Sequence, residues 1–245
     1  MTNGIELCKA GDGYEVVLNS PARRNALDAG MWGALTSVLI DVAARNPSYL
    51  VLRGSGSNFC AGGDLKAMRS ELAADRGPEE FRDRIHRCVQ QLYDFPAPTV
   101  ASIHGAAIGG GLELALACDL RVVTRDVLFR MPAARFGMVM ALPELHRLVS
   151  VVGWSWARAI VLTGMDVDAE LALRIGLAHV VTDEGQLSVA TQRLVDMLTR
   201  MEPVAVQWSR KGLEALLTNV VPDDLRDFET ECFRRAAFWD RISAM

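Results

Sequence analysis

The strongest chemical signal in the sequence is a glycine turn leading into a helix that carries one carboxylate. Residues 103–120 read IHGAAIGGGLELALACDL, which predicts a strand, a turn and a helix that begins near Gly110 and runs to Cys118. The unpaired amides and the dipole at such a helix start favour negative charge. Because side chains lean toward the helix N-terminus, the Glu113 carboxylate should reach the same place. The pattern indicates an acid/base group beside an anion hole, or else a carboxylate that only balances the dipole.

A second glycine-rich segment precedes this one. Residues 55–68 read SGSNFCAGGDLKAM, follow a predicted strand, and are rich in residue types that tolerate unusual backbone angles, so their amides could face a ligand. The glycines, among them Gly62 and Gly63, complete neither the GxGxxG pattern nor the phosphate-binding GxxxxGK pattern. Taken alone, the segment is more typical of a structural turn than of an anion site.

The composition is that of an ordinary globular protein and excludes several classes of function. The 245 residues are 50% hydrophobic and 23% charged, with a net charge of -4 and scattered basic residues, which argues against a nucleic-acid partner. Five cysteines lie far apart without a CxxC pair, so we expect reduced thiols and no metal site. No uncharged run reaches the roughly 18 residues of a membrane span and no signal segment is seen, so we expect no membrane partner and a cytoplasmic location.

The elements that must position the two glycine segments follow an α/β rhythm. Short apolar runs alternate with longer stretches of helical periodicity, as in a sheet with crossover helices. The pattern predicts strands at residues 14–18, 49–54, 99–103, 120–124 and 179–182. It predicts helices at residues 28–45, 78–95, 144–152, 154–162, 168–175 and 184–200, with two more before the end of the chain.

Together, the two glycine segments resemble the paired signature of the enoyl-CoA hydratase/isomerase (crotonase) family. The resemblance extends over nearly the whole chain in the family's order: RRNALD at 23–28, FCAGGDLKAM at 59–68, HGAAIGGGLELALACDLRV at 104–122, TGMDVDAELALRIGLAHVV at 163–181, and a helix that starts at Pro203. It implies a crotonase (ClpP-like) spiral of ββα units over residues 1–185. A C-terminal helical trimerisation region would follow over residues 186–245, and a homotrimer or homohexamer is expected.

The resemblance also implies roles for individual residues in fatty acid metabolism, with coenzyme A as part of the thioester substrate and no separate cofactor. Gly63 and Gly110 would donate the two N–H groups of an oxyanion hole for the thioester enolate, and Glu113 would be the acid/base. The backbone that would hold the pantetheine and adenine ends of coenzyme A comprises Ala61, Gly62, Gly63, Asp64, Leu65 and Lys66.

One acid/base group of the family is missing from its usual place. Hydratases of the family carry a second glutamate just after a proline, in a motif similar to PEIxLGxxPGxG, where residues 131–148 of this chain read MPAARFGMVMALPELHRL. The residue after the proline is Ala133, which cannot transfer a proton, so the sequence predicts impaired standard hydration. Glu144, Arg135 or a water held by Glu113 could substitute for it, whereas surface salt bridging is the competing interpretation of Glu144 and Arg135.

Two further functions stay open. The Met-Pro-Ala spacing and the Leu-His pair resemble the malonyl-type acyl-CoA decarboxylase branch, but that branch has a histidine at the position of Gly63 and a tyrosine near Met140. A noncatalytic acyl-CoA binding protein would keep the fold and the thioester site without the acid that Ala133 replaces. A nicotinamide dehydrogenase is disfavoured because no GxGxxG motif follows the first strand.

Methionines and histidines near these motifs have less specific interpretations. Met131, Met138 and Met140 could line an acyl pocket or pack in the core. We expect His86 to be solvated on its helix and His104 to bond to the backbone as a structural group.

Overall fold

The structure is a computed structural model that describes residues 4–73, 77–218 and 223–243. A six-stranded sheet forms its centre, in the spatial order β1-β2-β3-β4-β6-β8. The strands of this sheet are Ile5–Ala10 (β1), Gly13–Leu18 (β2), Leu50–Gly54 (β3), Thr99–Ile103 (β4), Leu120–Thr124 (β6) and Val180–Thr182 (β8). β1 and β2 form an antiparallel hairpin, and all later neighbours in the sheet pair in parallel.

A second, two-stranded parallel sheet joins β5 (Ala106–Ile108) to β7 (Leu128–Arg130). β4, β5 and the helix α4 (Gly110–Ala117) follow one another directly and form one ββα unit. The amide of Gly109, between β5 and α4, donates to the Arg130 carbonyl at 2.9 Å. The small sheet therefore holds the turn from which α4 begins.

Crossover helices connect the parallel strands, as parallel pairing requires. Besides α4, the helices up to residue 199 are Ala29–Ala43 (α1), Leu65–Ala73 (α2), Pro78–Tyr93 (α3), Leu142–Thr163 (α5), Ala169–Arg174 (α6) and Leu187–Thr199 (α7). Asp28 caps α1 by accepting from the Met31 amide at 2.9 Å, and Asp168 caps α6 in the same way. Gly153 interrupts α5 with a φ of 73°, which separates the two helical segments that the sequence predicts.

Large apolar side chains fill the space between the main sheet and its helices. Leu50 and Leu52 on β3 are fully buried, as are Trp32 and Leu35 on α1 and Leu92 on α3. Burying each such side chain contributes roughly 1.5 to 3 kcal/mol. This packing fixes α1 and α3 on the sheet, and both helices contribute side chains to the cavity described below.

The cysteines are placed as in a core rather than as in a reactive site. Cys60, Cys88 and Cys118 are buried, whereas Cys8 is exposed. Burial raises the pKa of Cys60 and of Cys88 to about 12. Both side chains therefore stay protonated at neutral pH and pack as small apolar groups.

The five predicted strands are confirmed as β2, β3, β4, β6 and β8, each within one residue at either end. The sequence analysis misses β1, β5 and β7, and β5 and β7 are too short, at three residues each, to show a periodicity. The interpretation of residues 55–68 as one loop is wrong at its end, where α2 begins at Leu65. The Asp64 carboxylate accepts from the amides of Lys66 and Ala67 at 3.0 and 3.1 Å and so caps that helix.

The described chain divides into two compact units between Val195 and Asp196, within α7. The second unit contains Pro203–Thr218 (α8), Asp223–Glu231 (α9) and Ala236–Ser243 (α10). The rings of Phe233 and Trp239 each pack edge-on against Phe238 in this unit. None of the described helices combines the length and apolarity needed to cross a bilayer. The division after residue 185 and the trimerisation role of the C-terminal helices stay predictions.

Candidate active site

The Asn25 side chain helps to hold the glycine-rich segment 55–68 in place. Asn25 is buried, has a φ of 55°, and its amide nitrogen lies 2.9, 2.7 and 3.2 Å from the carbonyl oxygens of Ser55, Asn58 and Phe59. Its amide oxygen accepts from the Ser20 amide at 2.8 Å. Asn25 belongs to the RRNALD motif, but the sequence analysis used that motif only as a family marker. Its only local signal is that asparagine tolerates a left-handed backbone better than most residues.

The backbone around Gly63 is held from both sides by Leu27. The Leu27 amide donates to the Gly62 carbonyl at 2.8 Å, and the Leu27 carbonyl accepts from the Asp64 amide at 2.9 Å. Gly63 itself donates no hydrogen bond to any residue that the structure describes. Its amide is thus fixed in position and left available for a ligand.

Gly110 brings the second amide to the same place. It is the first residue of α4, so its N–H has no partner within the helix, and none is seen among the described residues. A Cβ added to Gly110 would lie 3.8 Å from the Gly63 nitrogen and 3.0 Å from the Trp32 ring, whereas one added to Gly63 would meet nothing within 4 Å. The two predicted oxyanion glycines are therefore adjacent in space, although they are far apart in the sequence.

The neighbouring glycines allow this close approach of the two loops. Gly62 has a φ of 94°, and a Cβ there would lie 2.6 Å from the Ile108 carbonyl oxygen. A Cβ on Gly111 would lie 2.4 Å from the Cys60 carbonyl oxygen. Each of these contacts is too short for any side chain, so glycine is required at both positions.

Both amides line a cavity of about 710 Å³. Of the predicted site residues, those that line it are Ala61, Gly62, Gly63, Leu65, Gly110, Glu113, Ala133, Arg135 and Glu144. Asp64 and Lys66 are not among its lining residues, and Met140 is buried in the core. Met131 and Met138 do line it. The remaining lining is mostly apolar and comes from α1, α2, α3 and the segment 132–141, including Trp32, Met68, Phe81, Ile85, Phe136 and Val139.

Asp64 acts next to the cavity instead of within its wall. Its carboxylate pairs with Arg23 at 3.0 Å, and Arg23 also contacts Asp28 at 2.8 Å. The backbone amide of Ala67 and the Arg23 guanidinium hold the pKa of Asp64 below its usual range. These contacts tie the start of α2 to the start of α1.

Glu113 is the carboxylate of the glycine-rich segment 103–120, and it lines the cavity. Burial and, to a smaller extent, the nearby charge of Glu144 together raise its pKa to about 7, against the opposing effect of Arg147. At neutral pH, Glu113 is therefore present in both protonation states, as a group that both donates and accepts protons requires.

Glu144 is the second carboxylate of the cavity, and its interpretation as a surface salt-bridge residue is wrong. It lies in the first turn of α5 and its side chain is only 4% exposed. Oε1 lies 3.1 Å from His86 Nδ1 and 3.6 Å from Arg147 Nη1. Oε2 is buried with no partner among the described residues. His86 is thus paired with Glu144, so the expectation of a merely solvated histidine is also wrong.

The other candidate groups are not acids in the cavity. Ala133 starts a short 3-10 turn in the cavity wall, where it supplies only a methyl group. Arg135 in the same turn is exposed. His104 bonds to the Gly56 carbonyl at 2.8 Å, in keeping with its predicted structural role. Among the residues described, no cluster of three or more histidine, cysteine, aspartate or glutamate side chains could hold a metal.

Comparisons with known proteins identify the family of the chain. Residues 14–238 match the family model for enoyl-CoA hydratase/isomerase. The chain is 35% identical to "Probable enoyl-CoA hydratase echA6" of Mycobacterium tuberculosis, over 81% of this chain and 77% of the relative. It is 28% identical to the short-chain-enoyl-CoA hydratase of Clostridium acetobutylicum, over 94% and 88% of the two chains.

Solved structures give the same result for the fold. An enoyl-CoA hydratase/carnithine racemase from Magnetospirillum magneticum superimposes with a TM-score of 0.89 at 27% identity, covering 100% of this chain and 92% of the other. An enoyl-CoA hydratase/isomerase from Xanthobacter autotrophicus superimposes with a TM-score of 0.81 at 29% identity, covering 93% and 85%. The chain therefore has the crotonase fold and belongs to the enoyl-CoA hydratase/isomerase family.

Proposed function

We propose that this protein hydrates the double bond of a 2-enoyl-CoA thioester reversibly, with Glu113 and Glu144 as its acid/base pair. The observation that carries the proposal is the presence of Glu144 in the same cavity as Glu113, near enough for its charge to raise the Glu113 pKa. The family's usual second glutamate is replaced by Ala133, yet Glu144 gives the cavity a buried carboxylate besides Glu113, whereas Glu79, the third glutamate of the lining, is exposed. Two such groups are what addition of water to an enoyl thioester requires.

Under this proposal, the amides of Gly63 and Gly110 bind the thioester oxygen as negative charge develops on it. Both amides line the cavity and lack an acceptor among the described residues, and α4 directs the positive end of its dipole to the same point. Each oxyanion donor of this kind is worth roughly 3 to 4 kcal/mol of barrier.

The proposed proton transfers balance over one turnover. The water oxygen bonds to C3 of the substrate while Glu144 accepts a proton from that water. The α-carbon takes a proton from Glu113, whose pKa of about 7 keeps part of it protonated at neutral pH. The product is a 3-hydroxyacyl-CoA, and the proton gained by Glu144 replaces the one lost by Glu113 through exchange with solvent.

The rest of the cavity supports an apolar acyl group joined to coenzyme A. Leu65, Met68, Phe81 and Ile85 from α2 and α3 line it, together with Met138. Apolar walls with a few polar groups at one end are typical of a site for a small molecule of mixed polarity. We propose that the backbone of residues 61–66 holds the coenzyme A portion, and that the protein assembles as a homotrimer or homohexamer.

The test is incubation of the purified protein with crotonyl, longer enoyl, 3-hydroxyacyl and malonyl-type thioesters, with products identified by mass. We expect a gain of one water on the enoyl substrates, lost in both Glu113→Gln and Glu144→Gln and retained in Glu170→Gln, which changes an exposed glutamate on α6. Loss of CO₂ from a malonyl thioester would indicate a decarboxylase instead of a hydratase. A shifted double bond would indicate isomerisation, and binding without turnover would indicate an acyl-CoA binding protein.

A further inference from the structure

Helix α3 meets the start of α5 through a polar stripe that the proposed reaction does not yet use. His86, Gln90 and Tyr93 lie at positions i, i+4 and i+7 of α3, so they share one face of that helix. This face contacts Glu144 and Arg147, which are three residues apart on α5. The stripe therefore sets how the proposed acid/base group is held.

Arg147 is locked by two members of the stripe. Its Nη2 donates to Gln90 Oε1, and its guanidinium lies 4.1 Å from the centre of the Tyr93 ring. From that position, its Nη1 lies 3.6 Å from Glu144 Oε1, which is beyond normal hydrogen-bond distance. Arg147 thus supplies positive charge near Glu144 without fixing the orientation of the carboxylate.

His86 is the residue within hydrogen-bond distance of Glu144. Its Nδ1 lies 3.1 Å from Oε1. The proposed general base must be an ionised carboxylate, which can only accept, so in that state Nδ1–H is the donor. The His86 side chain is 40% exposed, whereas that of Glu144 is 4% exposed, so the bond joins a buried acid to a ring at the cavity wall. Among the described residues, Glu113 on α4 and Arg147 on its own helix also interact electrostatically with this part of the cavity, where Glu144 raises and Arg147 lowers the Glu113 pKa.

We propose that His86 is a positioning residue for Glu144: the Nδ1–H bond to Oε1 fixes the orientation of the carboxylate that takes a proton from the reacting water. This inference rests on the proposed hydration. Among the described residues, His86 is the hydrogen-bond partner of this carboxylate: Arg147 Nη1 is 3.6 Å from Oε1, and Oε2 is buried without a partner. A fixed carboxylate suits a general base, because the base must lie within hydrogen-bond reach of the proton it takes.

The test compares His86→Leu with His86→Asn in steady-state hydration. Leucine removes the donor, and we expect kcat to fall about 10- to 100-fold with KM within about threefold, the range for a hydrogen bond to a charged group. Asparagine places an amide nitrogen near the position of Nδ1, so we expect it to restore kcat to within about threefold of the wild type. Arg87→Gln, on the next and exposed residue of α3, is the matched control and should leave both constants unchanged.

Thermal unfolding of each variant separates misfolding from a local effect. If His86→Leu does not fold, His86→Phe keeps a planar ring without the donor and gives the same comparison with His86→Asn. Equal losses in the donor-bearing and donor-free variants, or a wild-type kcat in His86→Leu, would overturn the positioning role alone. A wild-type protein that hydrates no enoyl thioester would overturn the proposed function and this inference with it.

Discussion

The cavity is built from two regions that hold their functional groups in different ways. The amides of Gly63 and Gly110 belong to the backbone, and tight loop contacts with Leu27 and Asn25 fix their surroundings. The carboxylates of Glu113 and Glu144 belong to side chains on separate helices, and Glu144 is contacted by His86 from a third helix and by Arg147 from its own. The two amides are therefore positioned by hydrogen bonds to the backbone of the loops, whereas the Glu144 carboxylate is positioned by contacts between side chains.

The largest expected effect comes from the carboxylate region. In Glu113→Gln, we expect kcat for hydration to fall about 10²- to 10⁴-fold, because a positioned acid/base group contributes about that much. The protein should still bind acyl-CoA, since the Gly63 and Gly110 amides are unchanged. Stopped assays with crotonyl-CoA and calorimetric titration measure the two quantities. A variant that keeps its kcat would show that Glu113 does not supply the α-proton.

In the amide region, we expect a substitution to lower the free energy of unfolding. In Asn25→Ala, three buried or partly buried loop carbonyls lose their donor, and we expect the free energy of unfolding to fall by about 2 to 4 kcal/mol. Denaturant titration measures this change, and Arg87→Gln serves as an exposed control. A loss below about 0.5 kcal/mol would mean that Asn25 does not hold the loop.

Replacing Gly63 or Gly110 with alanine should change the stability of the protein to different extents. Gly110→Ala brings a Cβ within 3.0 Å of the Trp32 ring, so we expect a loss of about 1 to 3 kcal/mol in stability and a lower kcat. Gly63→Ala meets no atom within 4 Å, so its stability should stay within about 0.5 kcal/mol of the wild type. Thermal unfolding of the pair gives the answer, and equal stability would contradict it.

The smallest effect is a shift in pH dependence. Because Glu113 must be protonated to supply the α-proton and its pKa is raised to about 7, hydration should decline as the pH rises through about 7. Removing the Glu144 charge lowers the Glu113 pKa, so the residual activity of Glu144→Gln should decline at a lower pH than that of the wild type. The pH profiles of kcat/KM for the two proteins provide the comparison. A shift to higher pH would rule out Glu113 as the acid.

The sequence predicted the amide region far better than the carboxylate region. The glycine segments are contiguous, and strands β4 and β6 appear as short, mostly apolar runs, so local patterns suffice there. The contact between His86 and Glu144 joins residues 58 apart, and nothing in the local pattern of α3 or α5 distinguishes it from solvated charges. Helix α2 was hidden for a different reason, because its cap Asp64 lies inside a glycine-rich loop.

The pair of positions 133 and 144 suggests how the catalytic side chains of such a site can differ between members of the family. Ala133 and Glu144 line the same cavity from different elements, so a carboxylate at either position can face the same substrate. Under the proposed function, the second catalytic carboxylate lies at a different position in the chain, while the two backbone amides that bind the thioester keep their positions. A different proton-transfer reaction in this fold then needs only substitutions of side chains that line the cavity, while the Gly63 and Gly110 amides stay unchanged.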